Sequence, residues 1–244
     1  MVKHNGPLLD ADGRPTLRYQ DRGVPLAILE YDAQQDLGLA THAGAEAQCA
    51  AIADDIAYDA HDLDDGLRAG LFAIEELRDV PFLDELLREI DTRYPGLDTS
   101  RRIHELTRRV ITRFVEDVVA EGDRRLAERA PSSANDIRQA GAPMVCFSDG
   151  MRTADASVKQ FLYPHMYRHP ELMRVRRQAD DILQDLFRRF IAEPAALPDE
   201  WRSNLDPSDE PRLARRVADY IAGMTDRFAL LEHQRLFEVT PDLR

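Results

Sequence analysis

Apolar residues recur every three or four positions through most of this chain, a spacing that is typical of helices and of little else. The clearest stripe consists of Ile103, Leu106, Val110, Phe114 and Val118. A stripe of this kind indicates one face of a long helix that packs into a core. Alternating runs of β-branched residues, which would indicate strands, are nearly absent. The sequence therefore predicts an all-α protein.

Turn and cap signals divide the periodic stretches into separate helices. We predict helices over 43–77, 82–94, from residue 99 or 100 to about 128, and over 154–167, 170–192 and 213–237. Glycines at 66 and 70 favour a break within the first of these. Residues 1–32 contain repeated Gly and Pro turns and are predicted to form loops, with at most a short hairpin near residues 10–30. Residues 129–150 are predicted to be a connection with one short helix.

The charge balance and the cysteines exclude several classes of protein. The chain has 45 Asp and Glu against 32 Lys and Arg, a formal net charge of −13, which argues against duplex DNA as a partner. Cys49 and Cys146 lack the spacing of a disulfide framework or a zinc–thiolate site. No apolar run approaches the ~20 residues that span a bilayer. We therefore expect a cytoplasmic protein with no membrane partner.

The stretch from Ala47 to Arg68 carries the most informative polar residues. Asp54, Tyr58 and Asp62 follow one another at intervals of four, so they lie nearly above one another on a helix. Small residues at 47, 50 and 51 continue this face and His61 flanks it, which predicts that another helix approaches and partly buries the carboxylates, Asp54 deepest. Carboxylates so close together favour a cation, which is a metal, a substrate donor or a basic side chain.

A simpler interpretation stays open for the same residues. Six aspartates lie between Asp54 and Asp65, and they fit a solvated acidic helix face equally well. Lys159 and the aromatic and basic residues up to His169 have a similar double interpretation. They suit a site that stacks a base and holds an anion, but a helix that turns its polar groups outward explains them more simply.

Four segments, in order along the chain, resemble one known family. They are KHNGPLL at 3–9, ADDIAYDAHDLDDGLRAGLF at 53–72, KQFLYPHMYRHPELM at 159–173 and DYIAGMTDRFAL at 219–230. Together they resemble the deoxynucleoside triphosphate triphosphohydrolases, the dGTPase-like branch of the HD superfamily. The resemblance implies a helical enzyme that hydrolyses a deoxynucleoside triphosphate (dNTP) to the deoxynucleoside and tripolyphosphate, and it implies a homo-oligomer.

The resemblance also implies roles for individual residues. In this family a divalent metal such as Mg²⁺ or Mn²⁺ lies between two His and two Asp, and Asp54 matches the last of these ligands. Tyr58 matches a tyrosine that packs against the substrate sugar, and Asp62 matches the carboxylate that binds the sugar 3′-hydroxyl. Lys3 is a candidate for contact with the phosphates. The assignments of Asp54, Tyr58 and Asp62 coincide with the row of polar residues that helical spacing places on one face.

The chain departs from the family pattern in its metal ligands. The family's earlier ligands, a His and then a His-Asp pair, are expected before the KHNGP segment, and His61-Asp62 follows Asp54, so it is not that pair. We therefore expect one helical domain over 1–244, in which 1–77 complete the HD core and 78–244 form a helical C-terminal region. Alone it is expected to bind metal weakly or not at all and to be inactive. The alternative is a catalytically empty helical module for regulation or oligomerisation.

Overall fold

The computed structural model describes residues 2–203, 205–206 and 208–237, and this part of the chain is built from helices. An isolated β-bridge joins Leu9 and Pro15, and the described residues form no longer strand, so the all-α prediction is confirmed and a hairpin near residues 10–30 is not present in them. The α-helices are α1 (Leu26–Asp32), α2 (Ala45–Arg68), α3 (Pro81–Arg93), α4 (Thr99–Arg129), α5 (Ala134–Arg138), α6 (Asp149–Leu162), α7 (Pro170–Ala192), α8 (Asp199–Arg202), α9 (Glu210–Ala222) and α10 (Asp226–Leu236). Shorter 3₁₀ turns lie at Leu17–Tyr19, Ile74–Asp79 and Pro194–Ala196, and a π-helical turn lies at Tyr163–Tyr167.

Several helix boundaries differ from those predicted; the helix expected over 154–167, for example, begins at Asp149 and ends at Leu162. The helix expected over 43–77 ends at Arg68, so the break favoured by the glycines at 66 and 70 is present, but the part after it is a 3₁₀ turn rather than a second α-helix. The last helix, expected over 213–237, is two helices, because Thr225 starts a new one by accepting a hydrogen bond from the backbone N–H of Phe228. The cap of α4 is Asp98 rather than residue 99 or 100, since its carboxylate accepts from the N–H of Arg101.

The chain forms two compact units, residues 1–166 and 167–244. In the first, α2 and α3 both pack against α4, and α6 packs against α2 and α3. The predicted stripe on α4 is buried along its whole length, so that prediction is confirmed. Phe114 in this stripe stacks on Phe82, with ring centroids 5.2 Å apart. This core fixes the orientation of α2, the helix that carries the candidate site. The expected division of a single domain at residues 77 and 78 stays a prediction.

The second unit has its own core, built by α7, α9 and α10. Ile182, Leu186 and Phe190 of α7 are buried together with Val217 and Tyr220 of α9. The rings of Phe190 and Tyr220 meet edge to face, with centroids 5.4 Å apart. Within the described residues, no helix has the length and apolar character needed to cross a membrane.

Candidate functional site

Helix α2 presents Asp54, Tyr58 and Asp62 in one row on the outside of the first unit. Asp54 is exposed, 59% of Tyr58 is exposed, and Asp62 is half-buried. The inner face of the same helix is formed by Ile56, Leu63 and other buried residues that pack into the core. An exposed tyrosine ring between two carboxylates can pack against a sugar while the carboxylates accept hydrogen bonds from hydroxyl groups. The structure therefore contains the row of Asp54, Tyr58 and Asp62 on one side of α2 that the sequence spacing predicts.

The order of burial along the row differs from the expectation that Asp54 is the deepest of the three. Asp62 is the least exposed residue of the row, and Asp54 lies on the open side. The reason is geometric, because a residue four positions further along a helix is rotated by about 40° around its axis. Each step from Asp54 to Tyr58 to Asp62 therefore turns the side chain toward the buried face.

The small residues that continue this face are exposed at two of three positions, and the third, Ala51, is half-buried. Ala47 and Ala50 are exposed, and His61, which flanks the row, is exposed as well. Helix α4 packs against the opposite side of α2, next to Ile56. The expected partial burial is therefore present at Asp62 but not at Asp54 and Tyr58, which are exposed to solvent.

Lys3 lies near the N-terminal half of α2. Its ammonium group donates hydrogen bonds to the backbone oxygen of Gly38 at 3.0 Å and to Oγ1 of Thr41 at 2.9 Å. Burial lowers the pKa of Lys3, and the nearby charge of Arg138 lowers it further. Lys3 lines a cavity of about 280 Å³ that is also bordered by Asp55, the residue that follows Asp54 in α2. Lys3 and Asp55 therefore border the same cavity beside the N-terminal half of α2.

The residues described do not make a metal site by themselves. No three side chains among His, Cys, Asp and Glu come together in residues 2–203, 205–206 and 208–237 as a group that could hold a metal ion. A divalent cation usually takes three or four protein ligands. Asp54 can supply one carboxylate, so it does not fit a metal site unless further ligands come from outside the described residues.

A buried ionic cluster on the other face of α2 was missed by sequence reasoning. Asp59 is 1% exposed, and its carboxylate lies 3.4 Å from the ammonium group of Lys159 on α6. Lys159 also donates to Asp155, one turn earlier on α6, at 3.0 Å. The ammonium group of Lys159 therefore has carboxyl partners on both α2 and α6. The signal in the sequence was the position of Asp59 between Ile56 and Leu63, which puts it on the inner face of the helix.

Burial raises the pKa of Asp59 to about 8, and a hydrogen bond with Asp155 adds to the shift although the charge of Lys159 opposes it. For Lys159, burial would lower the pKa, but the hydrogen bond with Asp155 and the charge of Asp59 raise it on balance. Two carboxyl groups that meet in a buried place share a proton more readily than they both ionise. This cluster therefore holds α2 against α6, away from the exposed row.

Comparison with known proteins gives one family model that matches part of the chain and relatives that match all of it. The Phosphohydrolase-associated domain matches residues 145–235. A deoxyguanosinetriphosphate triphosphohydrolase-like protein from Azorhizobium caulinodans is 54% identical over 244 residues, which are all of this chain and 61% of that protein. The chain is thus similar along its whole length to deoxyguanosinetriphosphate triphosphohydrolase-like proteins. Proteins of the same name from Rhodopseudomonas palustris and Allorhizobium ampelinum are 53% and 50% identical over the full chain.

The chain spans about 60% of the length of these curated relatives. The family in general is one of metal-dependent phosphohydrolases. The roles of Asp54, Tyr58, Asp62 and Lys3 stay predictions, since the names of the relatives describe whole proteins and not single residues.

Proposed function

We propose that this chain provides the sugar-binding face of a dNTP triphosphohydrolase, an enzyme that releases a deoxynucleoside and tripolyphosphate. The observation that carries the proposal is the open row of Asp54, Tyr58 and Asp62 on α2 in a chain similar to deoxyguanosinetriphosphate triphosphohydrolase-like proteins. The row offers an aromatic ring and carboxylates at a spacing of about one helical turn, ~5.4 Å, which suits a deoxyribose. The relatives' names support dGTP as the first substrate to test.

Each residue has a distinct part in this proposal. The ring of Tyr58 packs against the apolar side of the deoxyribose, and Asp62 accepts a hydrogen bond from its 3′-hydroxyl group. The ammonium group of Lys3 has three N–H donors, and two of them are used in the hydrogen bonds to Gly38 and Thr41. Its third N–H donates to a phosphate oxygen of the substrate. Asp54 is one ligand of the metal that the family uses to stabilise charge on the phosphate. The other ligands come from outside the described residues.

The second candidate is a helical module that assembles with other chains and performs no chemistry. The metal ligands favour this candidate, because the resemblance implies two imidazoles and two carboxylates at the metal and the described residues contribute one carboxylate. The two candidates differ in one respect that can be measured, which is the release of deoxynucleoside when the remaining ligands are supplied.

The remaining metal ligands are supplied by co-expressing the chain with the part of the Azorhizobium caulinodans protein that lies outside the match. The purified mixture is incubated with dGTP and Mn²⁺, and deoxyguanosine and tripolyphosphate are measured by chromatography. We expect both products in equal amounts, and a loss of at least about 100-fold in rate for Asp54→Ala. Asp62→Asn is expected to raise KM for dGTP and to reduce the preference for dGTP over 2′,3′-dideoxy-GTP.

Asp123→Ala is the control, because Asp123 is an exposed carboxylate on α4, away from the row. It should leave the rate unchanged. A mixture that releases no deoxyguanosine, or a rate that Asp54→Ala does not change, would contradict the proposed function and favour the module.

A further inference from the structure

Two buried aspartates and a lysine form an ionic cluster whose charges do not balance. Asp59 of α2 is 1% exposed and Asp155 of α6 is 8% exposed. The ammonium group of Lys159 lies 3.4 Å from the carboxyl group of Asp59 and 2.9 Å from that of Asp155. With both carboxyl groups ionised, the cluster has one net negative charge. Because a buried charge without a partner is costly, the two carboxyl groups are expected to hold one proton between them.

Among the described residues, the groups around the cluster do not supply the missing positive charge. The groups that act on Asp59 are Asp155 and Lys159, and Asp55, one turn earlier on α2, adds a further negative charge near Lys159. Helix α4 also packs against α2, and its Thr107 donates a neutral hydroxyl group to a carboxylate further along α2. Helix α3 packs against α6, and its ion pairs are made with arginines of α4, of the turn before α3 and of α3 itself. A proton is therefore what balances the cluster.

Asp59 lies within the stretch of α2 that carries the candidate sugar-binding row. Tyr58 directly precedes it, and Asp62 follows three positions later, which makes Asp59 and Asp62 neighbours on the helix surface. Asp62 is half-buried, whereas Tyr58 is exposed. A shift of α2 against α6 at Asp59 therefore moves the ring and the carboxylate of the row together.

We propose that Asp59, Asp155 and Lys159 are positioning residues for the row, and that a proton shared by the two carboxyl groups keeps α2 packed on α6. The proposal rests on the proposed function and adds a dependence on pH to it. When the proton leaves, two like charges face each other between α2 and α6, and the packed arrangement weakens. A substrate that binds the row must then restore this arrangement at the cost of affinity.

The pKa of the buried carboxyl group sets the pH range of this effect. Burial raises the pKa of Asp59 to about 8, and the hydrogen bond with Asp155 adds to the shift, whereas an exposed aspartate has a pKa of about 4. The packed arrangement therefore binds the proton more tightly than a loosened one, and the contribution of the proton is lost as the pH rises to about 8. We expect KM for dGTP to rise at least about threefold between pH 6.5 and pH 8.5. The cluster should leave kcat unchanged, because saturating substrate restores the packing.

The first measurement needs no substrate. Hydrogen exchange of the chain is followed by mass spectrometry between pH 6.5 and pH 8.5 and corrected for the intrinsic exchange rate. We expect the protection of peptides from residues 56–63 of α2 to fall at least about threefold over this range. Peptides from residues 103–114 of α4 should change less, since they report unfolding of the whole unit. Asp59→Asn imitates the protonated carboxyl group, so its α2 should keep its protection at every pH.

The second measurement uses the co-expressed mixture described above with dGTP and Mn²⁺. In Asp59→Asn, KM is expected to stay constant as the pH rises, and kcat is expected to follow the pH profile of the parent. Asp155→Asn removes a negative charge from the other side of the cluster and should have the same effect, which keeps the test valid if Asp59→Asn does not fold. Asp123→Asn, at an exposed carboxylate of α4, is the control and should follow the parent at every pH.

Two results would overturn the proposal. One is a protection of α2 that changes with pH no more than that of α4, or that changes equally in the parent and in Asp59→Asn. The other is a KM that rises with pH as much in Asp59→Asn and Asp155→Asn as in the parent. A mixture without turnover would contradict the proposed function instead, and the exchange of α2 would still decide whether the proton of the cluster holds α2 in place.

Discussion

At the scale of single residues, the same helix holds aspartates in opposite environments. Asp54 is open to solvent, whereas Asp59, five positions later, is enclosed against Asp155 and Lys159 of α6. A buried carboxyl group keeps its proton because ionisation without water is costly. Asp59 is therefore part of the packing of α2, whereas Asp54 is exposed to solvent.

The first prediction concerns the pH dependence of stability. The unfolded chain loses the proton of Asp59 above a pH of about 4, whereas the folded chain keeps it until its pKa of about 8. Between these values the folded state binds more protons, so the free energy of unfolding falls as the pH rises. Asp59→Asn removes this contribution. We expect the loss of stability between pH 5 and pH 8 to be smaller in the variant by at least about 1 kcal/mol.

The measurement is urea unfolding at several pH values, with Asp123→Asn as the control at an exposed carboxylate. The control should follow the parent at every pH. If Asp59→Asn has the same pH profile as the parent, Asp59 ionises normally in the folded chain.

At the scale of helices, Gly66 explains why α2 comes close to the segment that follows it. A Cβ atom at Gly66 would overlap the ring of Phe72, which is buried and packs edge to face on Phe161 of α6 with centroids 5.2 Å apart. Gly66→Ala should therefore lower the free energy of unfolding by about 1–3 kcal/mol, as overpacking does in other cores.

Gly122→Ala is the matched control, because Gly122 is also a buried helical glycine. Its Cβ would lie in ordinary contact, 3.8 Å from the backbone oxygen of Met144. We expect it to be neutral or to stabilise the protein by up to about 1 kcal/mol, since alanine favours helix over glycine. Denaturant unfolding of both variants measures the difference, and equal effects would show that Phe72 moves away at no cost.

The helices were predictable where periodicity alone determines burial. The stripe from Ile103 to Val118 is buried as the spacing predicts. The end of α2 at Arg68 agrees with the break that the glycines at 66 and 70 favour, and Gly70 has a positive φ of 69°. The break before α10 depends on the cap formed by Thr225, a contact that hydropathy does not contain. The row on α2 followed from its spacing. The partners of Asp59 did not, because they lie on a helix far along the chain.

At the scale of the whole molecule, the buried cluster links the two parts that the comparisons distinguish. The Phosphohydrolase-associated match begins at residue 145, so it includes α6 with Asp155 and Lys159, while α2 lies before it. The contact between the ammonium group of Lys159 and the carboxyl group of Asp59, 3.4 Å apart, thus connects the associated domain's first helix to the helix that carries the acidic row. Packing on the inner face of α2 holds its outer face in a fixed orientation.

The last prediction is that the 244-residue chain alone does not hydrolyse dGTP at a measurable rate. In the described residues no three metal-binding side chains come together, and a metal ion in this family supplies charge stabilisation worth several kcal/mol in the transition state. Tyr58 and Asp62 cannot replace it, because contacts that are equally strong in the ground state and the transition state do not accelerate a reaction. The chain is incubated with dGTP and Mn²⁺ or Mg²⁺, and deoxyguanosine is measured by chromatography. Turnover that Asp54→Ala abolishes would show that the chain completes its own metal site, with His4 or His61 as the first residues to test for the missing ligands.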